Sequence, residues 1–148
     1  TGFTPGDRPG PVAIPGIGAA VPLICYEGIF AEEIHYGDTR PRLLLLITND
    51  AWFGNGAGPR QHLAQARLRA IEQGLPMVRA ANTGISAMID GRGRITASLP
   101  LTTEGALDAA LPAALPETVY ARFGGYPVAF MLILLIAVTY GAARRDSD

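Results

Sequence analysis

The sequence predicts an α/β layer structure in which helices cover a mixed sheet, and three observations lead there. Strand-like and helix-like patterns alternate along the first half of the chain and then give way to consecutive strands. The run Arg42 to Thr48 (RLLLLIT) is too short for an ordinary helix and apolar on both faces, as a central strand of a covered sheet is. Residues 59–73 set Leu63, Ala66, Ala70 and Ile71 on one helical face, with Arg60, Gln61, Arg69 and Glu72 pointing away.

The elements follow in order. Residues 1–20 are rich in Gly and Pro and read as turns and loops, with one brief strand at Val12-Ala13-Ile14. Val21 to Cys25 is a short apolar run, a buried strand with Pro22 near its start, where strands tolerate proline best. Residues 28–36 predict a short helix with Ile29, Phe30 and Ile34 inward and Glu32 and Glu33 outward. After the RLLLLIT strand, Gly54 to Pro59 is a glycine-rich loop. Pro59 opens the next helix, and Gly74 suits the position just past its end. Met77 to Ala81 and Ile85 to Ile89 predict two strands around Asn82-Thr83-Gly84. Asp90-Gly91-Arg92-Gly93 turns the second into a strand over Arg94 to Leu99. Ala106 to Leu111 is a further possible strand between proline-bearing loops.

Composition narrows the function classes. The length of 148 residues suits one domain. Apolar residues at 49% against 17% charged exclude a disordered, charge-rich segment. A net charge of −1 offers no basic surface for nucleic acid. All 12 cationic residues are arginine, so no side-chain amine is available for catalysis. A single cysteine, Cys25, excludes an internal disulfide and any multi-cysteine metal site. The chain begins at Thr1 without a secretory pattern and reads as a piece of a longer polypeptide.

The last segment differs in kind. Residues 127–143 (PVAFMLILLIAVTYGAA) carry no charge, and a helix of that length rises roughly 25 Å, at the short end of what crosses a bilayer. Tyr120, Phe123 and Tyr126 precede it and Tyr140 lies near its far end, as interfacial aromatics do. Arg144 and Arg145 then place the C-terminus in the cytoplasm. The expected organisation is an α/β part over 1–119, an interfacial linker at 120–126, a transmembrane helix at 127–143 and a cytoplasmic tail at 144–148.

Few residues are suited to chemistry. Cys25 ends a strand before a short helix, at an elbow where a thiolate is favoured; a small buried hydrophobe is the alternative. Glu27 either orients or deprotonates a partner, or bonds backbone amides at the helix start. Asn49 and Asp50 can hold a loop through local side-chain bonds. Trp52 and Phe53 form either a core plug, which the pair alone favours, or the wall of an apolar pocket. His35 and His62 are not spaced with carboxylates as zinc ligands would be.

Four stretches together change the reading: Leu23-Ile24-Cys25-Tyr26-Glu27, Thr48 to Gly54 (TNDAWFG), Gln61 to Ala70 (QHLAQARLRA), and Arg79 to Ser86 (RAANTGIS). In this order, over about Phe3 to Gly141, they closely resemble the nitrilase (carbon–nitrogen hydrolase) superfamily, and within it the apolipoprotein N-acyltransferase family. The resemblance implies a partial αββα sandwich followed by one C-terminal transmembrane helix, set in the bacterial inner membrane with the catalytic part in the periplasm. It implies Cys25 as the nucleophile, storing an acyl chain from a phospholipid donor as a thioester and passing it to a diacylglyceryl-modified apolipoprotein. Glu27 then maps to a site glutamate and Tyr26 to the motif tyrosine, while Asn49, Trp52 and Phe53 become substrate-binding candidates, the aromatic pair as acyl-pocket walls. No cofactor or metal is implied. The family's set is Glu-Lys-Cys with the first two upstream; this chain has no lysine and only Asp7 as an acid before Cys25, so both belong to sequence outside it. Gly125 stands where many relatives carry an acid. A membrane-anchored amidase of the same superfamily and a non-catalytic anchored binding module are the competing readings; further upstream membrane spans would separate the first, and an unreactive Cys25 the second.

Overall fold

The computed structural model describes residues 10–34 and 39–145. His35, Asp7 and the tail beyond Arg145 lie outside the described residues. Six strands form one sheet in sequence order: β1 (Val12–Ile14), β2 (Gly18–Ile24), β3 (Leu43–Asn49), β4 (Met77–Asn82), β5 (Ser86–Ile89) and β6 (Ile95–Leu99). β2, β3 and β4 are parallel; the outer pairings are antiparallel, giving a mixed sheet. One row of register partners, Leu23, Leu46 and Arg79, runs across the parallel centre.

Helix α1 (Gly58–Gln73) supplies the crossover between β3 and β4. It starts on Pro59, whose missing N–H costs nothing in a first turn, and ends on Gly74 in the left-handed conformation (φ 62°). Its Leu63, Ala66 and Ala70 pack on Val21, Leu23, Leu44, Leu46, Met77, Ala87 and Ile89 to make the core. Two expectations for this helix fail. Ile71 is exposed, and Arg69 is buried, because its guanidinium reaches the Ile29 carbonyl at 2.5 Å and Glu72 at 2.6 Å.

Among the described residues a helix covers one face of the sheet. On the other, Leu45 and Val78 are half-buried while Ile24 and Ile47 are 53% and 49% exposed. Ala106 to Leu111 is not a strand. A ladder needs a partner edge, and this segment instead crosses the open face, where Leu107 and Ala109 line a cleft of about 200 Å³ with Val78 and Met88. Arg40 ties its end to α1, donating to Leu115 O and Gln73 O at 2.7 and 2.8 Å. The helix expected over 28–36 is two 3₁₀ turns, Cys25–Ile29 and Ala31–Glu33, because Phe30 between them is extended (φ −95°, ψ 121°).

Helix α2 (Val119–Phe123) is capped by the Thr118 hydroxyl, which accepts from Ala121 N at 2.9 Å. Helix α3 (Tyr126–Arg145) follows, with Val128 and Phe130 to Ile136 all largely exposed. Among the described residues no helix is long and apolar enough to cross a membrane. The 127–143 span expected from the sequence is therefore not supported by the described residues.

Candidate active site

The candidate site residues lie at the carboxyl ends of the parallel strands, the edge where α/β sheets gather ligands. At the end of β2 the chain breaks into a 3₁₀ turn through Cys25, which sits at φ 53°, a left-handed conformation that non-glycine residues adopt only when their surroundings hold it. Three contacts do so. Glu27 Oε2 accepts the Ile24 N–H at 2.7 Å, the Glu27 carbonyl accepts from Phe30 N at 3.1 Å, and Arg69 binds the Ile29 carbonyl. Gly28 lets the turn lie close on β3, since a Cβ there would stand 2.9 Å from a Leu46 methyl. Cys25 itself is partly exposed. Of the two readings open for Glu27, the geometry displays the backbone-bonding one.

Tyr26 is exposed and meets Phe30 edge-on, ring centroids 5.5 Å apart. It lines a cleft of about 190 Å³ with Ile29, Phe53, Gly58, Gln61, His62 and Gln65. Phe53 belongs to the 3₁₀ turn Asp50–Phe53 after β3, stands edge-on to His62 at 5.7 Å, and packs so close to Gly58 that a Cβ there would collide with it. Tyr26 and Phe53 thus share one cleft beside the Cys25 turn. Trp52 does not line it; at 84% exposure it is no core plug, because its turn projects it away from the sheet. Asn49 is also elsewhere: its Oδ1 accepts from Ala51 N at 3.1 Å, starting the turn, and from Asn82 Nδ2 at 3.3 Å.

The sequence reading missed what lies beneath. Asp50 is fully buried, accepting from the Thr48 hydroxyl (3.1 Å) and His62 Nδ1 (2.9 Å) at Oδ1 and from Arg79 Nη2 (2.7 Å) at Oδ2. Arg79 Nη2 also approaches His62 Nδ1 at 3.2 Å. Since Arg79 and Asp50 are an ion pair, His62 donates from Nδ1 to the carboxylate. His62 Nε2 and Arg79 Nε have no partner. Burial lowers Arg79 from its ordinary value, against the raising effect of charge on Asp50 and on Cys25. The one available signal was Arg79 itself, a lone charge within an apolar strand. Among the described residues no cluster of His, Cys, Asp or Glu could hold a metal.

The structure is a mixed α/β sheet with a strained cysteine elbow at the end of β2 and a buried Asp-His-Arg cluster at the end of β3. The carbon–nitrogen hydrolase family model matches residues 2–120, and the chain belongs to that family. Among its relatives is the apolipoprotein N-acyltransferase of Bradyrhizobium diazoefficiens, 53% identical over 146 residues, covering 97% of this chain and 27% of the relative. The apolipoprotein N-acyltransferase of Rhodopseudomonas palustris is likewise 53% identical, over 91% of this chain and 25% of its own length. The chain therefore spans about a quarter of the length of these curated relatives. A solved carbon–nitrogen hydrolase from Helicobacter pylori G27 shares the fold, with TM-score 0.57 and 19% identity over 69% of this chain and 43% of that one.

Proposed function

We propose that these residues are the C-terminal portion of an apolipoprotein N-acyltransferase, with Cys25 as its nucleophile. The observation that carries this is identity above one half, over nearly the whole chain, to proteins named for that reaction. The held φ of Cys25 supports its part in it. In the first step Cys25 Sγ attacks a phospholipid ester carbonyl. The C–S bond forms, the C–O bond breaks, and the lysophospholipid leaves with the thiol proton. In the second, the α-amine of a diacylglyceryl-cysteine attacks the thioester, a C–N bond forms, the C–S bond breaks, and a proton returns to sulfur. The glutamate base and the lysine that steadies the oxyanion come from sequence outside these residues, which contain no lysine.

Glu27 holds the elbow through the Ile24 amide and thereby sets the direction of Sγ. Tyr26 and Phe53 wall the near side of the acyl site, and Trp52, Asn49 and its partner Asn82 meet substrate beyond the cleft. Helix α3 is apolar on every side, a surface suited to lipid rather than water, and it sets the site beside a bacterial inner membrane. Arg144, stacked 4.8 Å over Tyr140, and Arg145 mark its cytoplasmic end, leaving the catalytic part in the periplasm. There both lipid substrates reach Cys25 without leaving the bilayer.

The test uses the full-length protein carrying these residues. Cys25→Ala abolishes acyl transfer to a lipoprotein substrate and Cys25→Ser leaves little. An alanine variant that still acylates would refute the reading.

A further inference from the structure

The cleft beside the Cys25 turn has a polar side that an acyl chain does not explain. Tyr26 and Phe53 wall it, and Gln61, His62 and Gln65 of α1 complete it. Gln61 and Gln65 are one helical turn apart, so both amides reach the same space. At about 190 Å³ the cleft is smaller than the roughly 300–1,000 Å³ of sites that take drug-sized molecules, and it suits one compact group.

His62 indicates what that group offers. The residue is 3% exposed, and its Nδ1 donates to Asp50 Oδ1 at 2.9 Å. With the proton on Nδ1, the neutral ring carries its lone pair on Nε2. That nitrogen is buried and has no hydrogen-bond partner among the described residues. Buried acceptors are nearly always bonded, so an unmet one calls for a donor. Since Asp50 holds Nδ1, Nε2 is the nitrogen that His62 offers to the cleft it lines. The other lining residues narrow the donor. The two glutamine carbonyls accept hydrogen bonds, and the two aromatic rings present faces that attract cations. No arginine lines the cleft, so an anion finds no counter-charge there. Hydrocarbon would leave Nε2 unmet, whereas a primary ammonium answers every one of these groups.

We propose that Gln61, His62 and Gln65, with Tyr26 and Phe53, form a subsite for a primary ammonium group, His62 Nε2 accepting one of its hydrogens. The acyl chain follows the aromatic rings, and the ammonium sits on the α1 side. This rests on the acyl-transfer reading and adds where an amine is held. Two sources share the chemistry: the α-amine of the diacylglyceryl-cysteine acceptor, and an ethanolamine head group on the phospholipid donor.

The experiment uses the full-length protein in detergent and two half-reactions. Acyl-enzyme formation from phosphatidylethanolamine or phosphatidylglycerol is followed by intact mass, and acyl transfer to a diacylglyceryl-cysteinyl peptide by chromatography. Gln65 is exposed, so a charge there acts through a dielectric near that of water, and at about 6 Å it changes binding about threefold. Gln65→Glu lowers the KM of the amine-bearing substrate about threefold, and Gln65→Lys raises it about threefold. His62→Asn, whose amide can still donate to Asp50 but which offers nothing at Nε2, raises the same KM about tenfold. If the acceptor's amine is the occupant, the peptide KM moves and neither lipid's does. If the head group is, the phosphatidylethanolamine KM moves and that of phosphatidylglycerol does not follow. Either result supports the subsite. Glu and Lys variants that shift KM in the same direction, the two lipids moving in parallel, or no KM moving at all overturns it. Should His62→Asn not fold, the Gln65 pair decides alone. A parent enzyme that transfers acyl groups without a Cys25 adduct refutes the nucleophile instead, and the KM shifts for overall transfer then judge the cleft.

Discussion

Gly84 presses directly on the buried cluster, and an added methyl group there reports how tightly it is held. Gly84 follows β4 in the loop that leads to β5, its N–H bonded to the Asn82 carbonyl at 2.7 Å. A Cβ built on it would stand 2.7 Å from both Cβ and Cγ of Asp50. Comfortable carbon–carbon contact begins near 3.5 Å, so one side must retreat by roughly 0.8 Å. Asp50 cannot do so freely, because the same movement stretches its bonds to His62 and Arg79. Overpacking alone costs about 1–3 kcal/mol, and the lower backbone freedom of alanine in the unfolded chain returns less than 1 kcal/mol of it. Disturbance of the buried ion pair adds to the cost. Gly84→Ala is therefore expected to lose about 2–3 kcal/mol, a fall of roughly 5–10 °C in melting temperature for a domain of this size. The assay is thermal unfolding of the full-length protein in detergent, with Gly56→Ala beside it, since nothing lies within 4 Å of a Cβ at Gly56. In a double-mutant cycle, Gly84→Ala costs less once Asp50 is already alanine, because the contacts with Cγ and the carboxylate are gone while the Cβ contact remains. Equal melting temperatures for the two glycine variants would refute the close packing argued here.

Other sites give independent expectations. Leu46→Ala removes a fully buried side chain between α1 and the Gly28 turn; it loses about 3–5 kcal/mol in thermal unfolding and slows Cys25 alkylation by loosening the elbow. Burial pushes the Asp90 carboxyl up, but bonds from the Arg94 amide and guanidinium and the Arg92 amide outweigh it, leaving Asp90 below the ordinary carboxylate value. Its contribution is thus complete above about pH 4, where the unfolded group ionises, and is lost as pH falls through the lower folded value. Asp90→Ala should cost about 1–2 kcal/mol at pH 7 and progressively less below pH 4, measured by melting temperature against pH. A reporter fused after Asp148 should be active in the cytoplasm, and one active only in the periplasm reverses the proposed orientation.

Much of the fold was legible because its signals are local. The RLLLLIT run, Pro59 and Gly74 around α1, and the Asp90–Gly93 turn each fix an element within a few residues, and each recurs in the structure. The errors arose where a distant contact decided the outcome. Residues 25–33 make 3₁₀ turns because the chain must bend over Leu46 at Gly28 and offer the Ile29 carbonyl to Arg69, a partner 40 residues away. That same bond turns Arg69 inward and so defeats the amphipathic pattern of α1. Residues 106–111 have strand-like composition, but composition does not supply an edge to pair with.

The candidate site divides in the same way. Cys25, Tyr26 and Glu27 are consecutive, so one short motif reveals them. Asp50, His62 and Arg79 come from three elements, and each has a plausible local explanation as a loop holder, a helix residue or a strand charge. Only the sheet register brings them together, with Leu46 at the middle of the row and Arg79 at its end. A charged residue in an apolar strand still carries information, because burying it alone costs several kcal/mol and so demands an opposite charge nearby. In this chain the demand narrows quickly. Strand β4 is parallel to β3, so an arginine midway along β4 can reach an acid at the carboxyl end of β3, and Asp50 is the acid there. The β-α-β connection then brings the first turns of α1 over the same end and delivers His62. From the pairing of β3 with β4, the partners of Arg79 follow from the need to neutralise one buried charge.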